Sequence, residues 1–272
     1  MMGKGGLDGA TDAELLRAAR LIGDSRRLFV FTGAGISKES GLPVFRGEGG
    51  LWERMDPGIL EISRFTSDPE GSWRAIRGLF YEASTLPEPN AAHRVLAKWE
   101  AEGRIASLVT QNIDGLHRAA GSRRVVEFHG SLADLVCGRC GRRFRASPSE
   151  IAAGVALQLP PRCGSWPPEA PVADGCGGVL KPDFVFFGEG IPSEAYGAAL
   201  AGAEAADLCL IVGSAGVVYP AAGLPAIVKK NGGTIIEIDP SVTEFTKSLG
   251  GIHLAVGAVE GLTRLDALLT PR

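Results

Sequence analysis

LFVFTGAGISKESGLPVFRG, residues 28–47, is the stretch that decides the fold of this chain. Its first four residues predict a buried strand, and Gly33-Ala34-Gly35 predicts a tight turn where that strand ends. A glycine turn in this position lets the backbone approach the pyrophosphate of a dinucleotide. The third glycine of the usual fingerprint is missing, since Lys38 stands there, so other parts of the chain must support a nucleotide site.

Strands and helices alternate along the rest of the chain and predict an α/β fold with a parallel sheet. Further strands are predicted at 105–109, 125–128, 184–187, 208–212 and 234–238. Helices are predicted after the capping box at 11–14, near Ser37, from Asn90 to Glu102, and at about 221–230 and 259–269. Helices cover both faces of such sheets, and ligands bind at the carboxyl ends of the strands.

The composition is that of an ordinary globular protein. The chain has 272 residues, of which 45% are hydrophobic and 22% are charged, and its net charge is −3. This balance gives no basic footprint for nucleic acid or for an anionic membrane surface. No apolar run reaches the roughly 18 to 20 residues that a membrane-spanning helix needs. We therefore expect a cytoplasmic protein whose five cysteines are reduced.

Residues 134–180 differ from the rest because they are rich in proline and hold four of the five cysteines. Cys137 and Cys140 form a CxxC pair, and Cys163 and Cys176 follow within 40 residues. Four thiolates in a segment with little core of its own predict a closed, tetrahedral zinc site. The alternative is a set of reduced, shielded thiols. The fifth cysteine, Cys209, lies in an apolar strand and is interpreted as core.

Polar residues follow two of the predicted strands directly. Gln111, Asn112 and Asp114 come after the strand at 105–109, where their side chains can hydrogen-bond an amide and ribose hydroxyls. Helix capping is the alternative role for Asn112 and Asp114. His129 follows the strand at 125–128 and is a candidate general base, although a single histidine is often structural. We interpret the other three histidines as structural: His93, His117 and His253.

A second small-residue turn, Gly213-Ser214-Ala215-Gly216, follows the strand at 208–212 and also permits a close approach to a cofactor. Asp239 ends the strand at 234–238, where a carboxylate is suited to accept hydrogen bonds from ribose hydroxyls. Four arginines surround the CxxC pair, at 139, 142, 143 and 145. A basic zinc ribbon can bind nucleic acid, but the acidic net charge favours a solvated loop and no direct nucleic acid binding.

Taken together and in this order, these segments resemble the sirtuin family, over residues 28 to about 262. The matching stretches are GAGISKESGLPVFRG (33–47), TQNIDGLH (110–117), EFHGS (127–131), the cysteine module, LKPDFVFFGE (180–189) and VGSAGVVYPAAG (212–223).

The resemblance implies a Rossmann-like NAD domain made of residues 1–46, 90–133 and 181–272. It also implies an inserted small domain, with a helical part and cofactor loop at 47–89 and a zinc module at 134–180. One structural zinc per chain is expected. The implied activity is NAD-dependent removal of acyl groups from lysine side chains of proteins or peptides. NAD is consumed in it, because the acyl group passes to ADP-ribose and nicotinamide is released.

The resemblance also implies roles for individual residues. His129 would be the general base, with Asn112 beside it in the catalytic group. The acyl-lysine peptide would add as a strand between Gly188-Glu189 and Val217-Val218, with Phe187 lining the acyl-lysine tunnel. The residues expected to bind NAD are Gly33, Ala34, Gly35, Ile36, Phe45, Arg46, Gln111, Asn112, Asp114, Gly213, Ser214 and Asp239.

Several positions depart from the common family pattern. Val44 stands where many sirtuins have Asp, which resembles the branch of bacterial and mitochondrial desuccinylases. That branch binds acidic acyl groups with a Tyr and an Arg three residues later. Tyr81 matches the first, but Ser84 occupies the second, so we expect deacetylation to be favoured over desuccinylation. Asp239 replaces a common Asn and Ala215 a common Ser, and the charge of Asp239 is expected to weaken NAD binding.

Two alternatives remain open at this point. The same scaffold can serve an NAD glycohydrolase or a mono-ADP-ribosyltransferase. A module that binds NAD or zinc without catalysis is the second alternative.

Overall fold

The computed structural model describes residues 10–45, 50–53, 55–81, 87–167 and 174–269. The strands are β1 (Leu28–Thr32), β2 (Ile105–Thr110), β3 (Val125–Glu127), β4 (Gly130–Cys137), β5 (Arg143–Arg145), β6 (Leu180–Phe184), β7 (Leu208–Val212), β8 (Thr234–Ile238) and β9 (Ile252–Leu254). The α-helices are α1 (Asp12–Asp24), α2 (Ile62–Ser67), α3 (Pro69–Ile76), α4 (Ala91–Ala101), α5 (Leu116–Ala119), α6 (Pro148–Leu157), α7 (Ser193–Ala205), α8 (Leu224–Lys230), α9 (Glu244–Leu249) and α10 (Ala258–Leu268).

Six strands form the larger sheet in the order β3-β2-β1-β7-β8-β9, and all neighbours are parallel. The chain moves outward from β1 through β2 and β3 on one side, and outward from β7 through β8 and β9 on the other. The carboxyl ends of β1 and β7 therefore meet at a topological switch point, where a ligand crevice is expected in a Rossmann-like sheet.

Helices cover both faces of this sheet. Buried residues of α1, α4 and α10 form one core cluster with the strands, and residues of α7 and α8 form another on the opposite face. Every position of β1 and β7 is buried, which is why both strands read as continuous apolar runs. The predicted α/β fold with a parallel sheet is confirmed.

The helix ends follow the predicted capping signals. Thr11 and Glu14 form a reciprocal capping box at the start of α1. Asn90 accepts hydrogen bonds from the backbone N–H groups of Ala92 and His93 at the start of α4. Gly103, with φ of 72°, follows the end of that helix.

A smaller domain contains the second sheet, whose antiparallel strands lie in the order β5-β4-β6. Its core joins α2, α3 and α6 to this sheet and is rich in aromatic side chains. The Trp73 indole N–H donates to the carbonyl oxygen of Leu180 at 2.7 Å, which ties α3 to β6. The Phe184 and Phe186 rings stack with centroids 4.6 Å apart.

Two local predictions need correction, and two elements were not predicted. The strand predicted at 184–187 is not in the parallel sheet: β6 spans Leu180–Phe184, and Phe187 forms only an isolated bridge with Glu61. An apolar run cannot show which core it joins, and this one packs in the smaller domain. The helix expected near Ser37 is a 3₁₀ helix, Ala34–Ser40. The unpredicted elements are α6, within the cysteine-rich segment, and β9, which contains His253.

Among the described residues, no helix is both long enough and apolar enough to cross a membrane.

Candidate functional site

The two glycine turns contact each other at the carboxyl ends of β1 and β7. The Gly35 N–H donates to the carbonyl oxygen of Gly213 at 2.9 Å, and the Gly33 N–H donates to that of Val212 at 3.0 Å. A Cβ on Gly35 would lie 2.6 Å from the Gly213 Cα, and one on Gly213 would lie 2.5 Å from the Gly35 carbonyl carbon. Side chains are therefore excluded where the two turns meet. Ala34 is half-buried beside them, and Ile36 is buried.

Gln111 links the end of β2 to the turn after β7. Its side-chain amide donates to the Ser214 hydroxyl at 2.8 Å. The Gln111 backbone N–H donates to the carbonyl oxygen of Thr32 at 2.9 Å, which fixes the residue against β1. The structure thus brings Gln111 and Ser214 together, although they are 103 residues apart in the chain.

Asn112 and Asp114 share one partner, Ser37. The Ser37 hydroxyl donates to the Asp114 carboxylate at 2.7 Å and accepts from the Asn112 side-chain amide at 3.1 Å. The same Asn112 amide donates to the carbonyl oxygen of Gly33 at 3.2 Å. Burial raises the pKa of Asp114, while hydrogen bonds from the Leu116 backbone and from Ser37 oppose the rise.

His129 lies between β3 and β4 at the same edge of the sheet. Its Nδ1 is 3.0 Å from the carbonyl oxygen of Gln111. A carbonyl can only accept, so Nδ1 carries the proton and Nε2 is left as the basic nitrogen. Burial lowers the pKa of His129 below the ordinary histidine value, although the hydrogen bond to Gln111 opposes this. A neutral imidazole of this kind can accept a proton near pH 7.

Asp239 follows β8, one strand beyond β7. One carboxylate oxygen accepts from the Ser241 backbone N–H at 2.9 Å. Burial raises the pKa of Asp239, while the Ser241 N–H, His253 and Lys38 lower it. His253, predicted to be structural, has its Nε2 2.8 Å from the Asp239 backbone oxygen. The strand order places Asp239 beyond the Gly213 turn, as a ribose site requires.

Phe45 belongs to an aromatic group beside the site. Its ring centroid is 5.4 Å from that of Trp52, and the Trp52 centroid is 6.2 Å from that of Phe187. Two backbone hydrogen bonds join residues 44–45 to residues 51–52. The Leu51 N–H donates to the carbonyl oxygen of Val44 at 2.9 Å, and the Trp52 N–H donates to that of Phe45 at 3.1 Å. Arg46 and Ser84, both used in the sequence analysis, lie outside the described residues.

The residues expected to pair with a peptide lie on two exposed segments. The side chains of Phe187 and Val217 are 42% and 44% exposed. Gly188 adopts φ of 81°, a conformation that favours glycine. The Glu189 carboxylate accepts from the Phe186 backbone N–H at 3.0 Å and from Lys181 at 3.1 Å, so it braces the first segment.

Tyr81 lies in the core of the smaller domain and is only 7% exposed. Its hydroxyl donates to the carbonyl oxygen of Leu132 at 3.0 Å. Burial raises the pKa of this hydroxyl, so it stays protonated. The only hydroxyl proton of Tyr81 is therefore already used in its hydrogen bond to the Leu132 backbone.

The four cysteines of the module converge, with their sulfur atoms all within 4.8 Å of one another. The Sγ atoms of Cys137 and Cys176 are 3.5 Å apart, and those of Cys140 and Cys163 are 3.8 Å apart. A tetrahedral zinc with Zn–S bonds of about 2.3 Å needs sulfur separations of about 3.8 Å. A Cβ on Gly178 would lie 2.8 Å from the Cys137 sulfur, so the chain leaves room only for glycine there. These residues fit a closed structural zinc site.

The arginines around this cluster all have partners in the structure. Arg139 donates to the carbonyl oxygen of Cys176 at 2.7 Å, and Arg142 makes a two-pronged ion pair with Asp174. Arg143 pairs with Asp183, and Arg145 lies 3.7 Å from Asp134. Each of these side chains is thus balanced by a carboxylate or a carbonyl.

The model of the Sir2 family matches residues 33–220 of the chain. The chain belongs to the Sir2 family. It is 41% identical to an NAD-dependent protein deacylase of Aeropyrum pernix, over 92% of this chain and 95% of that protein. It is 40% identical to an NAD-dependent protein deacetylase of Haloarcula marismortui, over 86% of each. A solved Sir2 variant with a deacetylated p53 peptide and 3'-O-acetyl ADP ribose has a TM-score of 0.82 and 32% identity, and the match covers 93% of this chain and 98% of that one.

The sequence analysis missed several residues of this Sir2-family chain whose side chains contact and support the candidate site residues. Ser37, the hub between Asn112 and Asp114, lies inside the run quoted first, and a hydroxyl directly after a glycine turn was the available signal. Trp52 and Lys181 gave no comparable signal, because their roles depend on contacts across the chain. Thr32, Thr110 and His117 form a further buried group under Asn112.

We predict that the Sir2-family chain holds one zinc and that Cys137→Ala abolishes it. Structural zinc contributes on the order of 10 kcal/mol to folding in small metal domains, so the smaller domain should unfold and the Tm should fall. Metal content measured by elemental mass spectrometry and thermal unfolding provide the check. Cys209→Ala is the matched control and should retain one zinc, whereas full zinc occupancy in Cys137→Ala would refute the assigned ligand set.

Proposed function

We propose that this Sir2-family chain is an NAD-dependent protein deacylase that acts on acyl-lysine side chains of proteins or peptides. The observation that carries the proposal is the position of a neutral His129, which is hydrogen-bonded to the backbone carbonyl of Gln111. The side chain of Gln111 in turn donates to Ser214 beside the two glycine turns. A base thus lies next to a nucleotide site. The similar proteins named above are called NAD-dependent deacylases and deacetylases, which supports the same activity here.

The residues fit NAD in a definite order across the sheet. The close contact between the Gly33-Ala34-Gly35 turn and Gly213 excludes side chains, so a pyrophosphate placed against these turns would meet backbone. Ser214 lies beside this turn and Asp239 one strand further, which suits phosphate or ribose and then the adenine ribose. Bound NAD supplies a ribose carbon from which nicotinamide can leave, and ADP-ribose takes the acyl group.

Six residues are proposed to act on or around the nicotinamide half. Asn112 and Asp114, held by Ser37, would bind the carboxamide and ribose together with Gln111. Nε2 of His129 would take a proton from a ribose hydroxyl and so make that oxygen a nucleophile. Phe45 would cover the nicotinamide pocket, and Arg46 is proposed to order the cofactor loop.

The peptide is proposed to add as a strand between Gly188-Glu189 and Val217-Val218. Backbone pairing of this kind gives affinity with loose sequence preference. The exposed side chains of Phe187 and Val217 leave these segments open to a partner. The bond between Lys181 and Glu189 keeps the first segment in place before the peptide arrives.

We further propose that neutral acyl groups are preferred over succinyl or malonyl groups. Ser84 stands where desuccinylases have arginine, so an acidic acyl group loses its bidentate partner. The Tyr81 hydroxyl donates to Leu132 and has no second proton to offer a carboxylate. Losing one charge-assisted bond in a desolvated pocket costs roughly 2 to 3 kcal/mol, or about 30- to 150-fold. Val44, which stands where many sirtuins have Asp, still predicts that the chain is related to the desuccinylase-like branch of the family.

A panel of acyl-lysine peptides incubated with NAD and read by mass spectrometry tests the function and the preference together. O-acyl-ADP-ribose and nicotinamide should form, with kcat/KM for acetyl-lysine about 30- to 150-fold above that for succinyl-lysine. Ser84→Arg is the matched variant and should raise the succinyl rate selectively. ADP-ribosylated protein or free ADP-ribose as the main product would favour the alternative NAD chemistries, and NAD binding without turnover would favour a binding module.

His129→Asn should lower kcat by about 100-fold or more, because a positioned general base contributes 10²–10⁴-fold. In the unaltered protein, the acidic limb of the rate against pH should lie below about 6.5, since burial lowers the pKa of His129. Stopped-time deacylation assays over pH 5 to 8 provide the measurement. Lys230→Gln, at an exposed position at the end of α8, is the control for a change outside the proposed site. Near-normal turnover in His129→Asn would remove the assigned base.

Asp239→Asn should lower the KM for NAD by roughly fivefold. One additional negative charge near the pyrophosphate, in a partly solvated site, repels it by about 1 kcal/mol. Asparagine removes this charge and keeps an acceptor for the ribose. Asp239→Ala removes both and should raise the KM instead. An unchanged KM in Asp239→Asn would show that the carboxylate charge does not weaken NAD binding.

A further inference from the structure

Two buried histidines lie behind Asn112 and Asp114, and the proposed chemistry uses neither. His93 belongs to α4 and His117 to α5, and their relative exposures are 0% and 2%. The rings pack edge to face with centroids 4.9 Å apart. Burial lowers the pKa of His93 to about 4 and that of His117 to about 3, so both are neutral near pH 7.

A chain of hydroxyl groups connects His117 to the backbone of Asn112. Nε2 of His117 lies 2.9 Å from the Thr32 hydroxyl oxygen. Thr32 donates to the Thr110 hydroxyl at 2.9 Å, and the Thr110 oxygen accepts the Asn112 backbone N–H at 3.1 Å. Because Thr32 gives its only proton to Thr110, its oxygen must accept, so His117 carries its proton on Nε2.

His93 reaches the same residues from the other side. Its Nε2 lies 3.5 Å from the Ser37 hydroxyl, the group that bonds Asn112 and Asp114. Its Nδ1 lies 3.0 Å from the Asn90 side-chain oxygen, and the Asn90 amide donates to the carbonyl of Ile36 at 2.7 Å. These hydrogen bonds fix His93 at the start of α4, and its ring packs against the ring of His117 and holds that ring in place.

The other ring nitrogen of His117, Nδ1, lowers the stability of the fold. Nδ1 is buried and has no hydrogen-bond partner among the described residues. A buried acceptor without a partner lowers stability, so an apolar side chain of similar size would suit stability better. Residues that lower stability in this way are expected where function requires them.

We propose that His117, held by His93, is a positioning residue that sets Asn112 and Asp114 for the reaction through Thr32 and Thr110. The proposal rests on the proposed function, since Asn112 and Asp114 matter through NAD. A displacement of about 1 Å in such groups can cost about 100-fold in rate. The loss should therefore appear in kcat and in NAD affinity, and not in the free energy of unfolding.

The test compares His117→Leu, His117→Gln and His117→Asn. His117→Leu should keep or raise the Tm, lower kcat for an acetyl-lysine peptide by about 10- to 100-fold, and leave the peptide KM unchanged. Glutamine can place an N–H near the position of Nε2 and should restore part of kcat, whereas asparagine is too short to reach Thr32. A normal kcat in His117→Leu, or a loss that merely follows a lower Tm, would overturn the proposal.

Thr32→Val breaks the same path with His117 present and keeps the test decisive if His117→Leu does not fold. It should lower kcat to a similar extent, and the double variant should lose little more, because both changes cut one path. Fully additive losses would contradict the proposed path. Calorimetric Kd values for NAD are a readout that needs no turnover. They should rise in His117→Leu and Thr32→Val even if the protein proves to act on other substrates, which separates failure of this inference from failure of the proposed function.

Discussion

The absence of side chains at the contact between two backbone turns is the constraint on which the rest of the site depends. Gly33 and Gly35 after β1 meet Gly213 after β7 so closely that a Cβ on any of them would lie within 2.7 Å of backbone. This contact fixes the spacing of the two central strand ends and with it the positions of Gln111, Ser214 and Asp239 on either side. The proposed nucleotide cradle is thus built from backbone, and the side chains proposed to carry chemistry are arranged around it.

The polar groups around this cradle are half-buried or buried, and burial shifts the pKa values of the ionisable ones. It lowers the pKa of His129 and raises that of Asp114. In a desolvated site each hydrogen bond is stronger than in water, and each missing partner costs more. The geometry of Asn112 and Asp114 therefore depends on a second layer of hydroxyl and imidazole groups, which has no direct contact with the reaction in our proposal. A change in that layer acts by moving its neighbours.

Five of the six strands of the main sheet could be predicted from sequence, because they are short apolar runs that lead into glycine or polar residues. The three-residue strand β9 was not predicted. The same rule found Gln111, His129 and Asp239, since their position after a strand is visible locally. It failed for residues 184–187, because an apolar run does not show which of two cores it joins. His117 could not be assigned for a related reason: its partner Thr32 is 85 residues away, and only the fold brings them together.

The smaller domain is interleaved with the larger one along the chain. The core of the smaller domain contains residues from 60–81 and from 132–186. The chain between these two ranges forms helix α4 and strands β2 and β3, which belong to the larger domain. Trp73 and Leu180, joined by a hydrogen bond, are 107 residues apart. Neither domain therefore corresponds to one continuous piece of the chain. A truncation that ends between residues 82 and 131 would leave the smaller domain with only part of its core.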